Sequence, residues 1–458
     1  MRVKIFILAL LVGVCGRLSA AQQEPVEPAA VEVASAPVVV ASPVVAAPPV
    51  VASTDTSKGL TPAQRLEAEW NYLKDGALDP TDGAPAAAAD ELAAFIDRHP
   101  DAPMMDEAQA LLASLYKKQG DAKSSMICLL RLIYEYPQSK AALKAQSELL
   151  ELGDKTLSRK LRPALGELVK GSDAADKADR LAAMLQRVVE GLGDALYDPT
   201  VREIRRFQAR FPDYSKSDVL DWTLAQLHEK NEKYAAALSA DRQLIAVYPE
   251  SAYKSSAQFA IGGIYADDLR NYRKALDAYQ QFVDQYPDNV NVLPALQRMA
   301  QLFSDKFKQY ELAVQIDERI IKTFPKTEGA LKAFNDEAKL LRDRLAKPDE
   351  AIKTYRRLTK QFAAPPAVTA LQEAAMVARK DLKDFKLEIE LRSQIAADYA
   401  FSHDAPAELY AAAEVYEDDL KDLAGALKTY KEVSAKFPNS KQSRKAADRL
   451  AKLEKGKS

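Results

Sequence analysis

The chain has 458 residues, 64 Lys and Arg against 66 Asp and Glu, a formal net charge of −2 and 47% hydrophobic residues. That balance gives no support for nucleic-acid binding, which calls for a strong basic excess. The length would accommodate two or three ordinary globular domains, so internal organisation decides the architecture.

Residues 1–21 read as a secretory signal peptide. Arg2 and Lys4 form a basic start, Ile5 to Val14 an apolar run too short to span a bilayer, and Ser19-Ala20-Ala21 a small-residue cleavage site. Cleavage after Ala21 fits best, and cleavage after Ala20 also fits. Either removes Arg2, Lys4 and Arg17 and no acid, taking 64 basic residues to 61 against 66 acidic ones. Cys15 follows the apolar run and suggests lipidation as an alternative, although Val14 stands where a lipobox wants glycine, alanine or serine. An uncleaved anchor is the third reading. Residues 22–60 form a linker rich in Pro, Ala and Val, with prolines at 25, 28, 37, 43, 48 and 49 that disfavour helix and paired strand. Such a segment is an extended, semi-rigid tether, which makes more sense if the N-terminus is held at a membrane.

From residue 61 the chain is periodic. Thr61-Pro62-Ala63-Gln64 combines a cap, a first-turn proline and a glutamine three after the cap, the signature of a helix start. An aromatic–proline pair then recurs: His99-Pro100, Tyr136-Pro137, Phe211-Pro212, Tyr248-Pro249, Tyr286-Pro287, Phe324-Pro325 and Phe437-Pro438. The spacings are 37, 75, 37, 38, 38 and 113, so units near Ala174, Phe362-Ala363 and Tyr399-Ala400 keep the register without the proline. A fixed period of this length means a solenoid of stacked supersecondary units.

Within each unit the slots agree. Five residues before the proline stands an apolar side chain: Phe95, Leu132, Phe207, Leu244, Phe282, Ile320, Leu358, Ile395 or Val433. Twelve before it stands alanine in six units (Ala88, Ala237, Ala275, Ala313, Ala351, Ala426), which points to close backbone approach. Two after it stands an N-cap type: Ser139, Ser251, Asn289, Thr327 or Ser440. Sixteen after it stands a large side chain: Tyr116, Tyr265, Phe303, Leu341 or Tyr416. The spacing in Lys274 to Val283 is three-and-four rather than alternating, and no segment reads convincingly as a strand. Each unit is therefore a helix A, a short polar turn such as Asp267 to Tyr272, and a helix B that the proline ends. The array covers 61–438 and is irregular around 150–200, where Gly153, Gly166, Gly171, Gly191 and Gly193 predict a kink or a change of path. Residues 439–458 form a polar, basic capping helix and tail, with Lys441, Arg444, Lys445, Arg449, Lys452 and Lys455. Solenoids need such an end to stay soluble, and the same helix offers a basic patch to an anionic surface.

The alanine, aromatic and proline of helix B, complete in Ala275-Tyr279-Pro287 and Ala426-Tyr430-Pro438, resemble the tetratricopeptide repeat family. Asp241 and Asp317 depart from it in the aromatic slot. The resemblance implies an all-α, right-handed superhelical solenoid of about ten helix-turn-helix repeats of 37–38 residues. These units are a few residues longer than the family's usual repeat. With their Tyr-Pro-x-Ser junction they are similar to repeats of bacterial envelope proteins, such as the periplasmic coordinator of the Tol–Pal system and the lipoprotein of the outer-membrane β-barrel assembly machine. That implies a non-enzymatic periplasmic scaffold whose partners are envelope proteins or peptides. An outer-membrane-tethered assembly factor or a glycan-binding accessory are the alternatives, and the oligomeric state is open, self-association included.

No residue constellation suggests catalysis, a cofactor or a metal. His99, His228 and His403 lie in different units, and the first two occupy repeat slots. Cys128 is the one cysteine left after cleavage and reads as core. Gly456-Lys457-Ser458 lacks the glycine and strand of a phosphate loop. The candidate site is the inner face of the superhelix, lined by helix A, where the register places Phe259, Gln297, Gln301, Asn335, Lys339 and Arg342. The last three share one helical stripe and resemble part of an Asn/Lys/Arg set that grips peptide carboxylates in some relatives. Trp70 and Trp222 are candidate peptide anchors or packing residues.

Overall fold

Helix pairs repeat along the described residues from Pro62 to Lys436. The structure, a computed structural model, describes residues 60–78 and 84–455. The predicted signal peptide, Cys15, the linker up to its last residue and the tail 456–458 lie outside the described residues. The hairpins are α1 (Pro62–Leu78) with α2 (Ala84–Arg98), α3 (Met105–Lys118) with α4 (Ala122–Glu135), α5 (Lys140–Thr156) with α6 (Arg162–Leu168), α7 (Lys177–Leu192) with α8 (Tyr197–Arg210) and α9 (Ser217–Lys230) with α10 (Tyr234–Val247). They continue with α11 (Lys254–Gly263) and α12 (Tyr272–Gln285), α13 (Val292–Gln301) and α14 (Tyr310–Thr323), α15 (Glu328–Asp343) and α16 (Pro348–Gln361), α17 (Pro366–Val377) and α18 (Phe385–Asp398), and α19 (Ala405–Glu414) and α20 (Leu423–Lys436), before a last helix, α21 (Lys441–Lys455). No strand occurs among the described residues. Outside the α4–α8 region each helix packs chiefly on the one before and the one after, as an all-helical solenoid requires.

The register explains the packing. All nine apolar residues at the slot five before the proline are buried, and so are the slot alanines from Ala237 to Ala426. Ala88 is half-buried. Ser139, Thr327 and Ser440 cap their helices, accepting from the N–H of Ala142, Ala330 and Ser443 at 3.0, 3.1 and 3.0 Å. Ser251 and Asn289 instead accept from Tyr253 and Asn291, two residues on, and so hold a turn that precedes the helix.

The turn between A and B is more ordered than its polar sequence suggests. In four units helix A ends in a π-helical turn: Ile264–Asp268, Leu302–Phe307, Ala378–Leu382 and Val415–Asp419. Asp267 and Asp268, expected in the connecting turn, belong to the first of these. In these units the first residue before helix B donates to a carbonyl six back, as in Asn271 to Tyr265 at 2.8 Å. In the 37-residue units 101–137 and 213–249 the same bond spans five, Asp121 to Tyr116 and Lys233 to His228. The π turn thus houses one inserted residue. Seventeen residues before seven of the register positions the chain is left-handed: Gly120, Glu232, Arg270, Lys308, Ala346, Lys383 and Lys421 all have positive φ, whereas Leu157 in the irregular stretch has φ −96.

Around α4 the stacking changes. α6 has only seven residues, and α7 and α8 both pack on α4. With α3 and α5 on its other sides, α4 is buried without interruption from Ser124 to Glu135.

Candidate functional site

The slot eight residues before the register proline decides where space is left. It faces a position seventeen residues earlier on helix A. In 250–287 the pair is Gly262 and Tyr279, and the ring lies so close that a Cβ on Gly262 would come within 2.6 Å of Tyr279 Cε1. The same positions hold Ala338 and Tyr355 in 326–363, and Ala413 and Tyr430 in 401–438, all buried. In 213–249 the sizes are reversed, with Leu224 and Asp241. In 364–400 Ala375 is matched with Arg392. Only in 288–325, among the regular units from 213 to 438, are both small: Ala300 and Asp317.

A cavity of about 290 Å³ opens there. Its walls are the A helices α13 and α15 and its floor is α14. Gln297, Gln301, Ser304 and Asp305 line one side, Lys332, Asp336 and Lys339 the other, and Asp317 and Ile320 the base. Three of the six residues expected on the inner face, Gln297, Gln301 and Lys339, therefore come together. The other three do not. Phe259 packs inward on Tyr279 and Phe282 at centroid distances of 5.6 and 5.4 Å. Asn335 donates to the Leu331 carbonyl one turn back, at 2.9 Å. Arg342 Nε donates to Asp381 in the next repeat, at 2.7 Å. The Asn335/Lys339/Arg342 stripe is thus divided between helix backbone, cavity wall and an inter-repeat ion pair.

Asp317 gives the cavity its chemistry. It is 4% exposed, and burial, reinforced by Asp336 and Glu337, pushes its carboxyl up to about 8. Near neutral pH it carries a proton and can donate as well as accept. Burial also raises Asp336, with Lys332 and Lys339 opposing. Two primary amides, a hydroxyl, the carboxyls of Asp305, Asp317 and Asp336 and two ammonium groups offer the mixed donors and acceptors that a peptide backbone needs. Sequence reading noted Asp317 as a departure from the repeat, but the decisive signal was its partner in register, Ala300, which is also small.

The remaining candidates resolve as packing. Trp70 stacks on Phe95 and Trp222 on Tyr253, at 6.2 and 5.9 Å. His228 is buried, its Nδ1 2.8 Å from the Tyr197 hydroxyl, and burial lowers its pKa. Cys128 is buried, and burial pushes its thiol up to about 11, away from reactivity. Among the described residues no group of three His, Cys, Asp or Glu side chains could hold a metal ion, and no helix is long and apolar enough to cross a membrane.

The profile of the tetratricopeptide repeat family matches residues 107–139, 256–289 and 409–440. These three stretches match tetratricopeptide repeats. Such repeats form protein–protein interaction scaffolds, typically without catalysis. Among solved structures, the tetratricopeptide domain of P58(IPK) is 15% identical, with 86% of this chain and 99% of that one covered and a TM-score of 0.22. PilW, a type IV pilus biogenesis factor, is 17% identical over 52% of this chain and 100% of that one, with a TM-score of 0.27. The C-terminal part of a tetratricopeptide repeat protein from Cytophaga hutchinsonii is 19% identical over 58% and 99%, with a TM-score of 0.33. No curated protein matches the chain in sequence. The matched repeat 256–289 lies immediately before the unit that holds the cavity, and the matched repeat 107–139 contains α4.

Proposed function

We propose that this tetratricopeptide repeat protein is an exported, non-enzymatic scaffold that holds other envelope proteins on its A-helix face, through the cavity above Asp317. The observation that carries the site is the paired small residues Ala300 and Asp317, which leave a polar cavity where neighbouring repeats are filled. An extended segment of a partner is the ligand that repeated helical walls suit best. Export is supported by the basic start, short apolar run and small-residue site of residues 1–21, and an envelope setting by the Tyr-Pro-x-Ser junction of the repeats.

Photocrosslinking in cells tests the site. A photoreactive residue at Gln301 is expected to capture one defined envelope protein, and one at the exposed Lys353 on α16 is not. Asp317→Tyr restores the ring that the slot holds in Tyr279, Tyr355 and Tyr430, so it closes the cavity and should abolish capture while leaving the array folded. Capture at both positions alike, or capture that survives Asp317→Tyr, would sink the cavity as the site. Export is tested by the mature N-terminus in the native cell. A chain starting at Gln22 supports soluble export, a lipidated Cys15 supports a membrane tether, and an intact Met1 in the cytoplasm overturns export.

A further inference from the structure

Far from that cavity in sequence, α4 carries a second one with different chemistry. Its volume is about 410 Å³, within the range of small-molecule sites, about 300–1,000 Å³. It lies where α7 and α8 meet α2 and α4. One wall is apolar, formed by Ile96, Leu181, Met184, Leu185, Phe207 and Phe211. The other carries four guanidinium groups, Arg98, Arg131, Arg206 and Arg210, against two carboxylates, Asp97 and Glu203.

Three of those arginines are engaged. Arg98 pairs with Glu69 at 2.6 Å, Arg206 with Asp97 at 2.8 Å and with Glu203 at 3.3 Å, and Arg210 with Glu135 at 2.6 Å. Arg131 differs. It is 2% exposed, its Nη1 is 3.5 Å from Glu203 Oε1, and its Nε and Nη2 have no hydrogen-bond partner. Burial opposes its charge, but Glu203 and the nearby Glu135 and Asp97, acting together with other neighbours, outweigh that and keep the guanidinium protonated. A buried cation with two unpaired donors is costly to keep. It becomes favourable when an oxyanion accepts both donors in the planar, two-pronged geometry that guanidinium groups provide.

From the orphaned Arg131 donors and the apolar wall together, we infer that this cavity binds a small amphiphilic anion: an oxyanion headgroup on Arg131 with a short apolar tail along Leu181, Met184 and Phe207. The site is independent of the A-helix cavity, so the failure of either proposal leaves the other standing.

Titration calorimetry and thermal melting on the full chain test it, with octanoate and octyl phosphate as probes and octanol and inorganic phosphate as controls. At least one of the two amphiphiles should bind saturably and raise the melting midpoint, and the tighter of the two names the headgroup. Arg131→Lys keeps a buried cation but loses the fork, and should weaken binding about tenfold. Ala209→Phe fills the mouth while leaving Arg131 in place, and should also weaken it about tenfold or more. Octanol binding as tightly would reduce the site to an apolar cleft. Inorganic phosphate binding as tightly would remove the tail from the proposal. Absence of binding by both amphiphiles, or unchanged affinity in both variants, overturns it.

Discussion

Helices α4 and α14 stand at the same position of their repeats, yet one is buried without interruption from Ser124 to Glu135 and the other on a single face. In α14 the buried residues are Ala313, Asp317, Ile320 and Ile321, the stripe that nearest neighbours in a solenoid cover. In α4 a second side is covered as well, because α7 and α8 return to it. The repeat supplies one face by its period, whereas the second requires contacts such as Arg210 to Glu135, 75 residues apart. The two helices therefore bury polar groups differently. In α4, Glu135 is held by Arg210 at 2.6 Å, Gln109 at 2.7 Å and Lys177 at 3.4 Å. Asp317 in α14 is instead buried next to other acids.

The largest expected effect breaks the α4 network. Glu135→Ala leaves Arg210, Lys177 and Gln109 around an apolar gap and should cost about 3–5 kcal/mol. Removing the exposed Glu151–Lys155 pair should cost less than about 0.5 kcal/mol. Urea unfolding followed by tryptophan fluorescence compares the two, and similar losses would refute the asymmetry.

The next effect separates the helices by pH. Glu135 has its carboxyl lowered below 4.5: burial opposes this, but Arg210 and Arg131 prevail. Its contribution is present above pH 4.5 and is lost as pH falls through its folded value. Asp317 and Asp241 are raised by burial from 3.8 to about 8 and about 7. Their contribution is fully present below pH 3.8 and declines as pH rises towards those values. Asp317→Asn should match the native protein near pH 4 and exceed it near pH 9 by an amount on the order of a few kcal/mol. Hydrogen exchange across α13 to α15 at both pH values reads this directly, and parallel pH dependence in variant and native chain would contradict it.

Two smaller effects sharpen the regular half. Lys308 is exposed with φ 56, a conformation that favours glycine. Lys308→Gly should therefore gain about 0.5–1 kcal/mol, while Gly120→Ala, at φ 79 in the same register, should lose about 1 kcal/mol. Asp384 accepts from the Leu387 N–H at 3.0 Å as the cap of α18, and Asp384→Ala should cost about 1 kcal/mol. Thermal melting ranks all three variants. A loss in Lys308→Gly would show that the turn carries no backbone strain.

Much of this was legible before the structure. The aromatic–proline register gave the helices and their buried slots, since a helical period and a proline stop act over a few residues. The π turns were not legible. Unit length does not reveal them, since 364–400 has 37 residues and a π turn while 326–363 has 38 and none. The left-handed register was nearly hidden too, because Gly120 is the one glycine among its seven members. For the site, spacing put Gln297, Gln301 and Lys339 on one face. It could not tell that Asn335 bonds its own helix or that Arg342 reaches Asp381, because side-chain partners depend on the next repeat's exact position.

The sequence by itself determined the period, the helical hairpins and which slot of each unit is buried, because these follow from interactions within a helix or between adjacent helices. Tertiary structure alone decided that Ala300 and Asp317 leave a cavity, since a void is a property of two facing side chains together. It alone also decided that α7 and α8 close over α4 and bury Arg131 with donors to spare, since contacts such as Arg180 to Tyr134 and Arg202 to Ser124 join segments 46 and 78 residues apart and no local pattern fixes where they meet.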